Sequence, residues 1–496
     1  MPHSIPERPQ TGSIKANFAK SSGWGMLGTG ADNLIQFIIF AVLARILDVA
    51  ELGIVAFAIV LIDLCSVFVL GGLPEALIRA PRWEHHVASV CFTINMLMAL
   101  FFSACLTIAG FTVIQQGYGP GSGAVIAALS LIFVIDASRA VHVAKLRREF
   151  NYKNLAVRGT IAGITAGAGS IWMATAGFGV WALVFQRLCY VSIMTLATWV
   201  SARFVPRLSL SRSVIAELSH FGIRATFSRL LEIANLRITD LVVGVFFGPV
   251  PVALYRVGGR GLDAMRRLFV RPIQDAAFSA LSRLEGAHAI GRAYHRVSRA
   301  GALVTFPMFI GLAVIAPDFT VLLFGEKYTQ SGLIMAILAL GGLPAMMTLF
   351  TTAALMAAGE AHVALRVNVM TALSNLVFTL AFVPLGPVGA AAGNCFAQFA
   401  VVPYNLAQMH RSLHFSWRTA IGGLMAPLLA ALAMGAVLWG TSRYLLSGLS
   451  PTLSILLLLP LGAIIYLLAL LTGGRRYLQE MMLELRPLLP ARLRRG

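Results

Sequence analysis

The stretch Leu453–Leu471, "LSILLLLPLGAIIYLLALL", runs for nineteen residues without one charged side chain. A helix of that length covers about 30 Å, the thickness of a bilayer's hydrocarbon core. A second run, "LIQFIIFAVLARIL", occupies Leu34–Leu47, and similar runs recur from about Gly23 to Leu471. Of the 496 residues, 58% are hydrophobic and only 12% charged, with a mean hydropathy of +0.81. A soluble domain carries roughly a quarter charged residues, so a water-soluble globule is excluded. The expected fold class is an all-α integral membrane protein.

Hydrophobic runs and their breakers predict about fourteen transmembrane helices. They begin near Gly23, Glu51, His86, Gly121, Leu155, Phe178, Phe221, Val252, Ala300, Ser331, Ala364, Pro387, Thr419 and Pro451. The expected organisation is a basic cytoplasmic tail over 1–22, a first lobe of six helices over 23–200 and a cytoplasmic linker over 201–220. A second lobe over 221–408, two further helices over 419–472 and a basic cytoplasmic tail over 473–496 complete it.

Lysine and arginine outnumber aspartate and glutamate 39 to 20, a net charge of +19. Such a balance can signal nucleic-acid binding, but its distribution argues for topology instead. Connections on one side, "QQGYGPGSG", "TAGFGV", "GPVP" and "LGPVG", are bare of cations. Only Arg45, Lys327 and Arg443 are assigned to that side, against 27 cations on the other. Because cationic loops stay inside, both termini are expected in the cytoplasm and nucleic acid drops out as a partner. Residues 1–22 contain no apolar core of a cleavable signal, which leaves targeting to the first membrane helix. The five cysteines all fall in apolar runs, and the pair His85-His86 has no acidic or thiol partner at ligand spacing. Packing residues and solvated loop histidines account for them, and no metal or cofactor is expected.

Nine cations remain within or at the ends of spans, and eight of them fall in the seventh and eighth. The eighth contains "LYRVGGRGLDAMRRLFVR", Leu254–Arg271. At 100° per residue, Arg256, Arg260, Asp263, Arg267 and Arg271 share about 80° of arc, a stripe about 22 Å long. The seventh reads "FGIRATFSRLLEIANLRITDLVVGVFF", where Arg229 and Glu232, and then Arg237 and Asp240, stand at i,i+3. That spacing lets opposite charges neutralise one another. An arginine at mid-bilayer costs about 2.5–3.5 kcal/mol on insertion scales, so such a stripe faces a hydrated cavity rather than lipid. The arginine fork suits phosphate, which makes Arg229, Arg237, Arg256, Arg260 and Arg267 the candidate substrate-binding residues. Asp32, Asp63, Asp240 and Asp263 are the candidate counter-charges or ion-coupling residues, with H+ or Na+ as the coupling ion.

A weak internal repeat links the first two spans to the seventh and eighth. "FAVLARILDVAELGIVAFAIVLIDL…LPEALIR" parallels "LVVGVFFGPVPVALYRVGGRGLDA…RPIQDAAFSALSR". With six spans per copy, the two lobes share one orientation, a parallel repeat of the transporter kind.

The elements "LARILDVAELGIVAFA", "LGGLPEALIR", "LLFGEKYTQSG" and "AAGEAHVALRVN" resemble the polysaccharide (Wzx-type) flippases. These belong to the multidrug/oligosaccharidyl-lipid/polysaccharide exporter superfamily, and the resemblance runs from about Phe18 to Leu471. It implies two six-helix lobes around a central cavity, with two extra C-terminal helices, in a bacterial inner membrane. It also implies alternating access that carries an undecaprenyl-diphosphate-linked oligosaccharide outward for exopolysaccharide, capsule or O-antigen synthesis. Implied partners are that lipid-linked oligosaccharide, membrane lipids, and a polysaccharide polymerase or other assembly proteins. In the related lipid II flippases functional arginines stand in the first, second and eighth spans. Here the eighth offers Arg256 and Arg260, but the first offers Asp32, which disfavours lipid II as cargo. A drug or sodium antiporter of the same superfamily is the nearer rival, though eight arginines suit organic cations poorly. A membrane glycosyltransferase lacks support, because the longest outer loop carries only Asp318 and Glu326 and no catalytic pair.

Overall fold

A computed structural model describes residues 30, 32–79, 83–148, 152–202, 204–414, 416–475, 477 and 479, with side chains given for all but 152–157, 217–225, 228 and 417–420. The span start at Gly23, the N-terminal tail and most of the C-terminal tail lie outside these residues. So does the side chain of Arg224.

The described residues are helical with no strand among them, and the expected all-α membrane class holds. They divide into two compact units, one ending at Ile233 and one beginning at Ala234.

In the first unit, α1 covers 32–46 and α2 covers Val49–Leu70. Asp48 lies between them in an extended conformation, and its amide donates to Glu51 Oε2 at 3.1 Å. The other oxygen of Glu51 accepts the amide of Val180 at 3.1 Å, so one carboxylate caps the starts of two helices. A negative charge there also complements both helix dipoles. Gly71, left-handed at φ +55°, ends α2 and turns the chain into the short α3, Leu73–Arg79. Then follow α4 (His85–Ala109), α5 (Ser122–Arg148), α6 (Tyr152–Thr175) and α7 (Val180–Ala202). Small hydroxyl residues join α4 to α5, with Ser103 Oγ 2.8 Å from Ser130 Oγ. Such contacts suit a bundle in lipid, where burial of apolar surface does not by itself hold helices together. After α7 an extended segment is tied along α4, with the amides of Arg207 and Ser209 donating to Ser89 Oγ and Thr93 Oγ1. These bonds satisfy backbone that forms no helix of its own.

Helix α8, Arg212–Phe247, runs through the boundary between the units. In the second unit, α9 (Pro249–Met265) passes through a π turn, Arg266–Val270, into α10 (Arg271–Leu281). Next come α11 (Ala287–Phe324), α12 (Thr329–Leu340), α13 (Gly342–Thr348) and α14 (Thr351–Ala357). Helices α15 (Ala361–Phe382), α16 (Gly386–Leu413), α17 (Trp417–Tyr444) and α18 (Pro451–Gly473) complete it. Close backbone approach between α9 and α12 rests on Gly258, where a Cβ would sit 2.6 Å from Ile334 Cγ2 and 2.9 Å from the carbonyl of Ser331.

Eleven of the fourteen expected span starts fall within helices, and Gly121 and Phe178 stand one and two residues before one. Length and hydropathy alone identify nine membrane-crossing segments among the described residues, some of them composite: Ala361–Leu413 joins α15 and α16, and Glu326–Ala357 joins α12, α13 and α14. Helix α8 has the length at 36 residues but is too charged to qualify, and α9 has only 17. Those two are the helices that carry the arginines.

Candidate functional site

The strongest charge cluster lies in the second unit, at the hairpin that joins α8 to α9. Gly248, at φ 80°, and Pro249 reverse the chain there. Asp240 stands two turns before the reversal and Arg256 two turns after it. Arg256 Nη1 donates to Asp240 Oδ2 at 2.8 Å, and Arg237 Nη1 reaches the same oxygen at 3.4 Å. The carboxylate is 6% exposed, Arg256 14% and Arg237 24%. Two cations on one buried carboxylate leave a local excess of one positive charge. Removing charge from water is tolerable only with such pairing.

The i,i+3 spacing of Arg237 and Asp240 foreshadows one of these contacts. The other could not be read from spacing along one helix. The hairpin instead brings Asp240 against Arg256 from the neighbouring helix. Asp263 interacts electrostatically with Arg260, one turn beyond Arg256.

The single long stripe does not survive intact. Over Arg266–Val270 the helix widens to a π turn, closed by the Arg271 amide on the carbonyl of Arg266. Pro272 stands just beyond and has no N–H to continue the α ladder. A π turn admits one extra residue, about 100° of phase once it is complete, so Arg271 leaves the face that Arg256 and Arg260 share. Arg271 is exposed, whereas Arg267 keeps a buried Nε with no hydrogen-bond partner.

Arg229 is set apart from this cluster. It falls in the first unit and pairs with Glu75 of α3 at 3.5 Å, not with Glu232 one turn along its own helix. The pair is half-exposed, at 50% and 39%.

Of the remaining carboxylates, Asp63 is partly buried on α2. Asp32 lies on α1 and accepts a hydrogen bond from Tyr190 of α7 at 3.0 Å. Its second oxygen is buried without a hydrogen-bond partner. Gly159 and Gly163 of α6 make room for it, since a Cβ at either would stand 3.5 or 3.2 Å from the carboxyl group. One turn along α1, Gln36 accepts from Gln186 at 3.3 Å.

Sequence reading missed a neighbouring pair. Arg139, one of the 27 cations counted on the cytoplasmic side, lies inside α5 and binds Asp136 at 2.6 Å. Their i,i+3 spacing on a helix with a low charge density is the signal that could have found them. Arg158 is likewise helical, bonded to Ser201 of α7. Also unforeseen is a knot in the second unit, where Thr239, Thr379 and Asn394 all donate to Asn375 Oδ1 at 2.9–3.4 Å. It ties α8 to α15 and α16.

The family model described as "Polysaccharide biosynthesis protein" matches residues 42–332, more than half of the chain. The succinoglycan biosynthesis transport protein ExoT of Rhizobium meliloti (strain 1021) is 21% identical over 322 residues, 65% of each chain. The lipopolysaccharide biosynthesis protein WzxC of Escherichia coli (strain K12) is 20% identical over 387 residues, 77% of each. Among solved structures, the lipid II flippase MurJ in an inward closed conformation superposes with a TM-score of 0.74 at 13% identity. It covers 92% of this chain and 99% of that one, which establishes a shared fold. Because the family model covers more than half of its length, this multi-pass membrane chain belongs to the polysaccharide biosynthesis protein family.

Proposed function

We propose that the chain is a flippase that moves an undecaprenyl-diphosphate-linked oligosaccharide across a bacterial inner membrane, with both termini in the cytoplasm. One observation carries the reading: two arginines, Arg237 and Arg256, share a single buried carboxylate, Asp240, inside a helix pair of a polysaccharide-biosynthesis membrane protein. A diphosphate offers the same kind of oxygen acceptor as a carboxylate, with more charge. When the cargo's diphosphate approaches, the arginine forks exchange Asp240 for phosphate oxygens, and Asp240 takes them back on release. This exchange keeps binding reversible, and keeps the arginines compensated when no cargo is present. Arg260, and Arg267 with its unbonded Nε, extend the positive field along α9. Alternating access about a central cationic cavity then turns the site from the cytoplasmic to the outer leaflet, as in a secondary transporter.

Coupling falls to a carboxylate that can gain and lose a cation. Asp32 fits best, bonded to a neutral phenol and given space by two glycines. Asp63, Asp240 and Asp263 are the further candidates, with H+ or Na+ as the ion. Polymerase and other assembly proteins are the expected downstream partners. Reconstitution tests the reading: vesicles holding the protein should expose a polyprenyl-diphosphate oligosaccharide to an external glycosidase when an ion gradient is imposed. Vesicles with Arg256→Ala should not. Equal exposure with and without the protein would reject the function.

A further inference from the structure

The first unit contains a groove that the charged cluster does not explain. Where α2 ends and α3 begins, a cavity of about 440 Å³ opens against α4 and α8, with Phe68, Leu73, Met98, Ile215 and Phe227 in its wall. Its size falls within the roughly 300–1,000 Å³ typical of small-molecule sites. The lining is almost entirely apolar, as lipid tails require.

Two observations set it apart from a packing defect. Asn95 of α4 lines the cavity, is 0% exposed, and neither its amide nitrogen nor its carbonyl oxygen has a hydrogen-bond partner. A buried amide left so is unfavourable, and native proteins rarely retain one without a use for it. The second is the charge beside the wall. Arg229, next in sequence to the lining residue Leu230, is half-exposed and held only by a 3.5 Å contact to Glu75, two residues from the lining Leu73. An apolar trough with an unbonded amide buried in its wall and an arginine held by a 3.5 Å contact next to it matches a lipid whose phosphate follows directly on a long hydrocarbon chain.

We infer that this groove between α2, α4 and α8 binds the phosphate-proximal end of a polyprenyl phosphate. Asn95 hydrogen-bonds the lipid's bridging or phosphate oxygens and Arg229 exchanges Glu75 for the phosphate. The occupant is a polyprenyl lipid rather than a glycerophospholipid. A glycerol ester pair places two chains and two carbonyls where the groove offers one apolar trough and one amide. The inference rests on the proposed cargo class, and it makes the groove a loading site distinct from the Arg237–Asp240–Arg256 cluster. The α2–α3 junction and the start of α4 lie on the side assigned to the cytoplasm, where such a cargo would load.

The test uses the full chain purified in lipid discs, with sugar-free polyprenyl monophosphate as the probe and native mass spectrometry as the readout. Wild type should retain the probe when phosphatidylglycerol is added in excess. Asn95→Leu should weaken retention about tenfold, the effect of losing one hydrogen bond to a charged group. It should leave thermal stability unchanged or raised, because leucine removes an unsatisfied amide. Met98→Trp, which fills the trough, should abolish retention. Retention unchanged in both groove variants, or displacement of the probe by phosphatidylglycerol, would overturn the inference. Because the probe carries no sugar and no flipping is measured, failure of the transport reading shows up separately, in the vesicle assay.

Discussion

Removing Arg256 separates the structural from the transporting role of the buried cluster. In Arg256→Ala, Asp240 keeps only Arg237, whose nitrogen is 3.4 Å away rather than 2.8 Å. Stranding a buried charge outright costs about 3–5 kcal/mol, and the surviving partner reduces that loss. Hydrogen bonds to charged groups contribute about 1.5–3 kcal/mol, while polar pairs between membrane helices reach at most about 1.7 kcal/mol. The two ranges meet near 1.5 kcal/mol, our expected coupling energy between Arg256 and Asp240. It is measured as a double-mutant cycle of Arg256→Ala, Asp240→Ala and both together, by reversible unfolding in bicelles. The double variant should therefore be more stable than the sum of the single losses predicts. Its transport in vesicles should stay absent, because the group that grips phosphate is gone. A coupling no larger than the ~0.5 kcal/mol scatter of independent sites would refute the pairing. Full transport by the double variant would refute the role of Arg256 in binding cargo.

Three further outcomes follow from the geometry. Gly258→Val should lower stability by about 1–3 kcal/mol, as overpacking between α9 and α12 does, measured by the same unfolding assay; loss of transport with unchanged stability would contradict that account. Asp32→Asn should uncouple transport from the ion gradient while Tyr190→Phe only weakens the dependence, since the phenol donates one bond to the carboxylate; an unchanged gradient dependence in Asp32→Asn would move coupling elsewhere. A periplasm-dependent phosphatase fused after Gly496 should be inactive, following the 27-to-3 distribution of cations between the two sides, and an active fusion would reverse the topology.

Much of the helix layout was legible because bilayer thickness sets a length and apolar runs show it directly. The charged helices were legible for the opposite reason: arginine in such a run is expensive enough to stand out. Contacts within one helix turn could be read from spacing, as with Arg237 and Asp240. Contacts across the fold could not. Asp240 meets Arg256 only because Gly248 and Pro249 reverse the chain between them, and Arg229 meets Glu75 across most of the first unit's sequence. The π turn at Arg266–Val270 escaped for another reason, since a constant 100° per residue assumes the regularity that Pro272 interrupts. In the sequence Asn95 is one polar residue in an apolar helix, and its meaning depends on a cavity wall formed by three other segments.

In the proposed cycle, the Arg256 side of the buried cluster grips the phosphate of a lipid-linked oligosaccharide. The most direct measurement follows that lipid in cells that express Arg256→Ala as their only copy, with membrane abundance checked against wild type. Such cells should show normal abundance, no exported polymer, and lipid-linked precursor accumulating in the cytoplasmic leaflet, with Arg256→Lys restoring export only in part because lysine lacks the fork. Wild-type export by Arg256→Ala, with no precursor accumulation, would contradict it.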